Sequence, residues 1–164
     1  MNRPEDLNAL NEDAVKQLDY VFSEAEKDPA VKTVFITGTG KAFVAGADIK
    51  FFVKNIQNNF LDKIVTFTRY GQDVFEKIDS SKKKVVVLLN GMALGGGLEL
   101  ALCADVILAL PKAGMAFPET GIGIYPGLGG TQRCANRVGK GLAKYLILTG
   151  KMLTAHEAAE TGLI

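Results

Sequence analysis

Between Val85 and Leu110 the chain runs through its longest apolar stretch, and the residues that interrupt it restrict how it folds. The stretch is long enough to be mistaken for a bilayer span, but it carries Asn90, Glu99, Asp105 and four glycines (Gly91, Gly95, Gly96 and Gly97), which a lipid-embedded helix does not hold without a special reason. The run Val85-Val86-Val87-Leu88-Leu89 reads as a strand, Asn90-Gly91 as a turn, the three glycines as the entry to a short helix, and Asp105 to Leu110 as another strand. Strand, loop, helix and strand inside one apolar run place this stretch in the core of a water-exposed α/β domain.

The glycine entry also carries chemistry. Without side chains, Gly95 to Gly97 let a ligand approach backbone N–H groups that have no intrahelical partner. The helix dipole adds positive potential there, so an oxygen becoming anionic is stabilised. Glu99 follows within the first turn or so, flanked by Leu98, Leu100, Ala101 and Leu102. A carboxylate at a helix start is often only a dipole partner, but one with apolar flanks needs a partner or a purpose. An oxyanion site beside a carboxylate points to chemistry on a carbonyl compound.

The rest of the chain alternates helix and strand. Apolar positions from Leu7 to Lys27 fit an amphipathic helix stopped at Asp28-Pro29. Val31 to Ile36 reads as a strand, Thr37 to Lys41 as a loop, Asn59 to Lys77 as a helix, and Ser80 to Lys84 as a solvated break. Met115 to Phe117 reads as a short strand, Pro118 to Gly130 as irregular, and Thr131 to Arg137 and Gly141 to Leu148 as helices. Thr154 and Glu157 form a capping box for a last helix ending at Gly162. No internal repeat stands out.

Composition excludes several classes. With 164 residues, a formal net charge of +1, and 48% hydrophobic and 23% charged residues, the chain is an ordinary globular domain. It has no global field to draw nucleic acid or an anionic membrane. Cys103 and Cys134 belong to no Cys-x-x-Cys pair and His156 is the only histidine, so no zinc site is expected and both cysteines read as small buried hydrophobes. Neither a Gly-x-Gly-x-x-Gly after a strand nor a P-loop is present. Asp105 reads as a structural cap or ion pair, Arg133 and Arg137 as a helical ion-pair face, and Glu119 taken alone as a loop residue.

Several ordered stretches together resemble the crotonase superfamily, and most of all its enoyl-CoA hydratase members. They are Asn2-Arg3-Pro4 with Leu7 to Asn11, Lys41 to Lys50, Asn90 to Ala101, Pro118 to Gly123, and Pro126 to Arg133, and they cover essentially the whole chain. The resemblance implies an α/β fold, a crotonase-like spiral of ββα turns in a single domain over residues 1–164, shortened at both ends relative to the family and without its C-terminal helical region. By position it assigns Glu99 and Glu119 as catalytic carboxylates and the N–H groups of Ala47 and Gly96 as the oxyanion hole. It assigns Lys41, Ala45, Asp48, Ile49 and Lys50 to coenzyme A, with the lysines at its phosphates.

The implied activity is reversible addition of water to a 2-enoyl-CoA, as in fatty-acid or related acyl-CoA oxidation. No cofactor is expected, since the acyl-CoA thioester is the substrate. A cytoplasmic homotrimer or hexamer is the family expectation when the C-terminal region is supplied, with no nucleic-acid or membrane partner. Glu5-Asp6 stands where the family often has a basic residue, and is expected to weaken phosphate contact. The alternatives are a 3-enoyl to 2-enoyl-CoA isomerase, a hydratase segment of a multifunctional oxidation protein, and a non-catalytic acyl-CoA-binding piece.

Overall fold

Two strands and then helix, three times over, is the plan of the chain in a computed structural model that describes residues 1–164. After α1 (Glu12–Lys27), the first turn of the spiral holds β1 (Thr33–Thr37), β2 (Ala42–Ala45), α2 (Ile49–Gln57) and α3 (Leu61–Asp79). The second holds β3 (Lys84–Leu89), β4 (Met92–Leu94) and α4 (Gly96–Ala101). The third holds β5 (Val106–Ala109), β6 (Gly114–Ala116), a 3₁₀ turn at Pro118–Ile122 and α5 (Gly130–Thr149). The short β7 (Leu153–Thr154) and α6 (Ala155–Glu160) close the chain.

The first strand of each turn joins one parallel sheet, ordered β1-β3-β5, and the second joins another, β2-β4-β6, to which β7 adds antiparallel. This is the expected α/β spiral. It repeats in space without repeating in sequence, because each turn needs only apolar strand residues and a covering helix. Central β3 buries Val85, Val86 and Val87 together, as a parallel strand covered on both faces does. Phe43, Phe75, Phe117, Leu98, Leu100 and Met115 fill the space between layers.

Several expectations need correcting. The first helix starts at Glu12, capped by the Asn11 side chain accepting from Ala14 N–H at 2.9 Å. Leu7 and Asn8 instead adopt left-handed φ values of 52° and 60°. Their apolar spacing served a different purpose: Leu10 bridges to Ala47, and Asn8, wholly buried, accepts from Arg3 N–H at 2.7 Å and donates to the carbonyls of Thr39 and Ala42 at 2.9 Å. Helix α2 was not anticipated, and α3 runs from Leu61 rather than Asn59. The strands β2, β4 and β7 were not read as strands either. The two helices expected on either side of Val138 are present: they run together as α5 and part at Gly139, whose φ and ψ are 78° and 157°. The capping box at Thr154 and Glu157 and the roles of Asp105 and the buried cysteines are as expected: Asp105 accepts from Val85 N–H at 2.8 Å and pairs with Lys84 at 3.1 Å.

Candidate active site

The site is built where the two sheets' loops meet the start of α4. Leu10 donates to the Gly46 carbonyl and accepts from Asp48 N–H, both at 2.8 Å. That pairing occupies the groups on either side of Ala47 and turns the Ala47 N–H away from Leu10. The Ala47 N–H makes no hydrogen bond within the protein. It faces Gly96, where a β-carbon would stand 3.7 Å from the Ala47 nitrogen. The two expected oxyanion donors are therefore neighbours, one from the β2–α2 loop and one from the first residue of α4.

Glu99 projects from α4 into the interior and is 1% exposed. Its Oε1 accepts two backbone hydrogen bonds, from Leu128 and Gly130, each at 2.7 Å. Gly130 is the first residue of α5, so the carboxylate also meets the positive end of that helix. A β-carbon on Gly130 would lie 2.8 Å from Glu99 Cγ and 2.9 Å from its Oε1, so glycine is what lets the amide come this close.

Glu119 arrives from the 3₁₀ turn after β6. Gly95 N–H donates to the Ala116 carbonyl at 2.9 Å, which draws the turn against the entry of α4. The Glu119 carboxylate then lies on Gly95, where a β-carbon would be 2.6 Å from its Oε1. Its Oε2 is buried and has no hydrogen-bond partner. An acidic oxygen left unpaired in a protein interior is costly, and sites of this kind are where ligands supply the missing partner.

Burial sets the protonation of the pair. Loss of solvent pushes Glu99 up to about 7; the amides of Gly130 and Leu128 oppose this, Glu119 adds to it, and Arg133 opposes it. Burial raises Glu119 as well, against the effect of its own backbone N–H. Both carboxylates border the start of α4: Glu119 lies on Gly95, and Glu99, whose N–H donates to the Gly95 carbonyl at 2.9 Å, is one turn further along. Cys103, in the turn just after α4, donates to the Glu99 carbonyl at 3.2 Å and its thiol is pushed up to about 12, so it stays protonated.

The residues expected at coenzyme A fall along one edge. Ala45 ends β2, Asp48 caps α2 by accepting from Lys50 N–H at 3.0 Å, and Ile49 and Lys50 open that helix to solvent. Lys41 lies exposed in the turn before β2. Asp6 is not a bare repulsive charge: it pairs with Arg3 at 2.8 Å and with Lys50 at 3.5 Å. Arg3, 3.9 Å from Asp48, joins this edge without having been singled out as a candidate. Of the expected ion-pair face, Arg133 pairs with Glu76 and Asp79, whereas Arg137 donates to the Ala104 carbonyl instead. The amides of Leu128 and Gly130 have no role in the sequence reading; the Gly-Leu-Gly-Gly run before α5 is the available signal. No group of three or more His, Cys, Asp and Glu side chains converges as a metal site, and no helix is long and apolar enough to cross a membrane.

Comparison with known proteins agrees with this geometry. A family profile described as enoyl-CoA hydratase/isomerase matches residues 1–164. A crotonyl-CoA hydratase of Syntrophomonas wolfei and a short-chain-enoyl-CoA hydratase of Clostridium acetobutylicum are each 44% identical over 165 residues, covering 100% of this chain and 62% of theirs. The crystal structure of an enoyl-CoA hydratase from Thermoplasma volcanium superposes with a TM-score of 0.89 at 41% identity, over 99% of this chain and 63% of that one. A structure of an enoyl-CoA hydratase/isomerase from Mycobacterium abscessus gives a TM-score of 0.94 at 31% identity, over 99% and 63%. The chain thus spans just over three fifths of the length of these relatives.

Proposed function

Because the chain belongs to the enoyl-CoA hydratase/isomerase family, we propose that it catalyses, or forms the catalytic core for, reversible hydration of a 2-enoyl-CoA to a 3-hydroxyacyl-CoA. The observation that carries the reading is the buried Glu99 carboxylate beside the half-buried, unpaired Glu119, next to two adjacent backbone N–H groups. The activities for which its relatives are named support it.

The chemistry follows from the geometry. The thioester oxygen accepts from the N–H groups of Ala47 and Gly96, which draws electrons from the double bond and makes C3 electrophilic. Each such donor lowers the barrier by about 3 kcal/mol. Glu99 takes a proton from water as its oxygen bonds to C3, and Glu119 gives a proton to C2 as enolate character collapses. The pair holds one proton before and after; it has only changed sides. The reaction starts from one ionised and one protonated carboxylate, so it needs the two groups to titrate apart.

Coenzyme A lies along Ala45, Asp48 and Ile49 in this reading, with Lys41 and Lys50 at its phosphates. The reaction draws on no cofactor, and assembly is as a trimer or hexamer. Loss of the enoyl absorbance of crotonyl-CoA tests the activity. Wild-type turnover with loss of at least a hundredfold in both Glu99→Gln and Glu119→Gln is expected. No hydration by the wild-type protein, or unchanged turnover in Glu119→Gln, overturns it. Release of 2-enoyl-CoA from a 3-enoyl-CoA, without hydration, would reassign the protein as an isomerase.

A further inference from the structure

Two amides hold Glu99, and the loop that carries them has little of its own to aim them. Leu128 sits in a glycine-rich run, and Gly129 has a φ of 101°. Gln72 of α3 donates to the Gly127 carbonyl at 2.7 Å and the Leu128 side chain is buried, but the contact made between the two amides themselves comes from Arg133. One turn into α5 its side chain folds back toward the helix start, and Nη1 donates to the Leu128 carbonyl at 2.9 Å. That carbonyl lies in the backbone between the two amides that reach Glu99. The other edges of the guanidinium are tied to α3: Nε donates to Asp79 at 3.0 Å and Nη2 to Glu76 at 3.1 Å. The Arg133 side chain is 11% exposed, whereas Glu76 is 71% and Asp79 42% exposed. A planar fork that spends its donors in three directions from a buried position fixes geometry in a way a surface ion pair does not. Gly129 belongs to the same device, since a β-carbon there would collide with Nη1.

We propose that Arg133 is a positioning residue for the hydration reaction: by clamping the 128–130 loop against α3 it aims both amides at the Glu99 carboxylate. The kinetic half of this rests on the hydratase reading; the structural half does not. The charged groups acting on Glu99 are Glu119 from the 3₁₀ turn, which opposes ionisation, and Arg133 from α5, which favours it. Cys103 just after α4 is neutral, and Glu76 and Asp79 of α3 are engaged with Arg133 itself.

The test compares wild type, Arg133→Gln and Arg133→Lys. The ¹³C carboxyl signal of Glu99, assigned by its disappearance in Glu99→Gln, gives its titration, and crotonyl-CoA hydration gives kcat and KM across pH. In Arg133→Gln the Glu99 midpoint rises by about one pH unit, from loss of both the charge and the aimed amides. Its kcat falls roughly tenfold with KM within about twofold, since the loss is in positioning the base. Arg133→Lys keeps the charge but not the fork, and recovers part of each. Coincident midpoints in wild type and Arg133→Gln, or a loss confined to KM, overturn the proposal. If Arg133→Gln does not fold, Arg133→Lys decides: wild-type midpoint and kcat there show that the fork is not needed, and a raised midpoint with lowered kcat upholds it. If wild type hydrates nothing, the functional reading fails, while the carboxyl titration still decides what Arg133 does for Glu99.

Discussion

Glu99 concentrates the conflict between stability and chemistry in a single side chain. Its carboxyl is raised from 4.5 to about 7 in the folded protein by burial. Between those values the folded protein keeps a proton that the unfolded chain has released. The stabilisation this gives is complete below pH 4.5 and is lost as pH rises through about 7. Glutamine at this position cannot ionise, and its amide oxygen can still accept from Leu128 and Gly130. The stability of Glu99→Gln relative to wild type therefore improves between pH 4.5 and pH 8, by on the order of 3 kcal/mol, in urea unfolding at each pH. A flat difference would mean that Glu99 ionises without cost. The same titration governs the rate. Glu99 has to be ionised to accept a proton from water, so kcat/KM for crotonyl-CoA rises as pH rises through about 7, where that carboxyl loses its proton. At this scale the sequence was legible where neighbours in the chain made the environment: Leu98 and Leu100 announced a buried carboxylate. The donors that hold it lie 29 and 31 positions away, and backbone amides leave no residue type to read.

Elements were legible in proportion to their length and the locality of their pattern. Helix α3, the broken α5 and strands β1, β3 and β5 carry periodic or continuous apolar runs, and their approximate positions follow from the residues alone. The second sheet announces itself only at β6. Its strands are two to four residues long, and their extended state is imposed by pairing with strands far away in the chain. Helix α2 did carry a signal, with Asp48 as cap and Ile49, Phe52, Val53 and Ile56 at helical spacing, but the segment was read through its likeness to a coenzyme A contact. The misread start of α1 has the clearest consequence. Asn8 donates to Thr39 and Ala42, and Asn90 donates to Gly40 and Ala42, so two asparagines clamp the β1–β2 loop that leads to Ala47. Asn8→Ala leaves the Thr39 and Ala42 carbonyls short of a donor and puts a worse residue at a φ of 60°. The expected cost is about 2–3 kcal/mol, read from chemical denaturation. Thr154→Ala, which removes one half of an exposed capping box, is expected to cost about 1 kcal/mol by the same measurement. A smaller loss for Asn8 than for Thr154 would show that the loop is held by other contacts.

At the scale of the molecule, burial is uneven in a way that bears on assembly. Ile49, Val53 and Ile56 share one face of α2 and are 60%, 46% and 58% exposed; Phe60, Leu61 and Val65 continue the apolar exposure into α3. Those three α2 positions follow helical spacing, so they form a stripe rather than scattered exceptions. Contiguous apolar surface of this kind marks contact with something else. A second copy of the chain is the occupant that the proposed trimeric or hexameric assembly would place there. The chain is then expected to self-associate with concentration in sedimentation velocity. Ile56→Lys places a charge in the middle of the stripe at a position that is already more than half exposed, so it shifts the distribution toward monomer while moving the thermal midpoint of dilute protein by no more than a few degrees. The two readouts separate the causes. A monomer at every concentration in wild type removes self-association as the use of this face, and a large fall in midpoint in Ile56→Lys shows that the side chain is part of the core instead. Because Ile49 also lies on the edge assigned to coenzyme A, the same variant series reports whether assembly and substrate binding share a surface: if they do, Ile56→Lys raises KM for crotonyl-CoA as it dissociates the assembly, and if they do not, KM stays where it was.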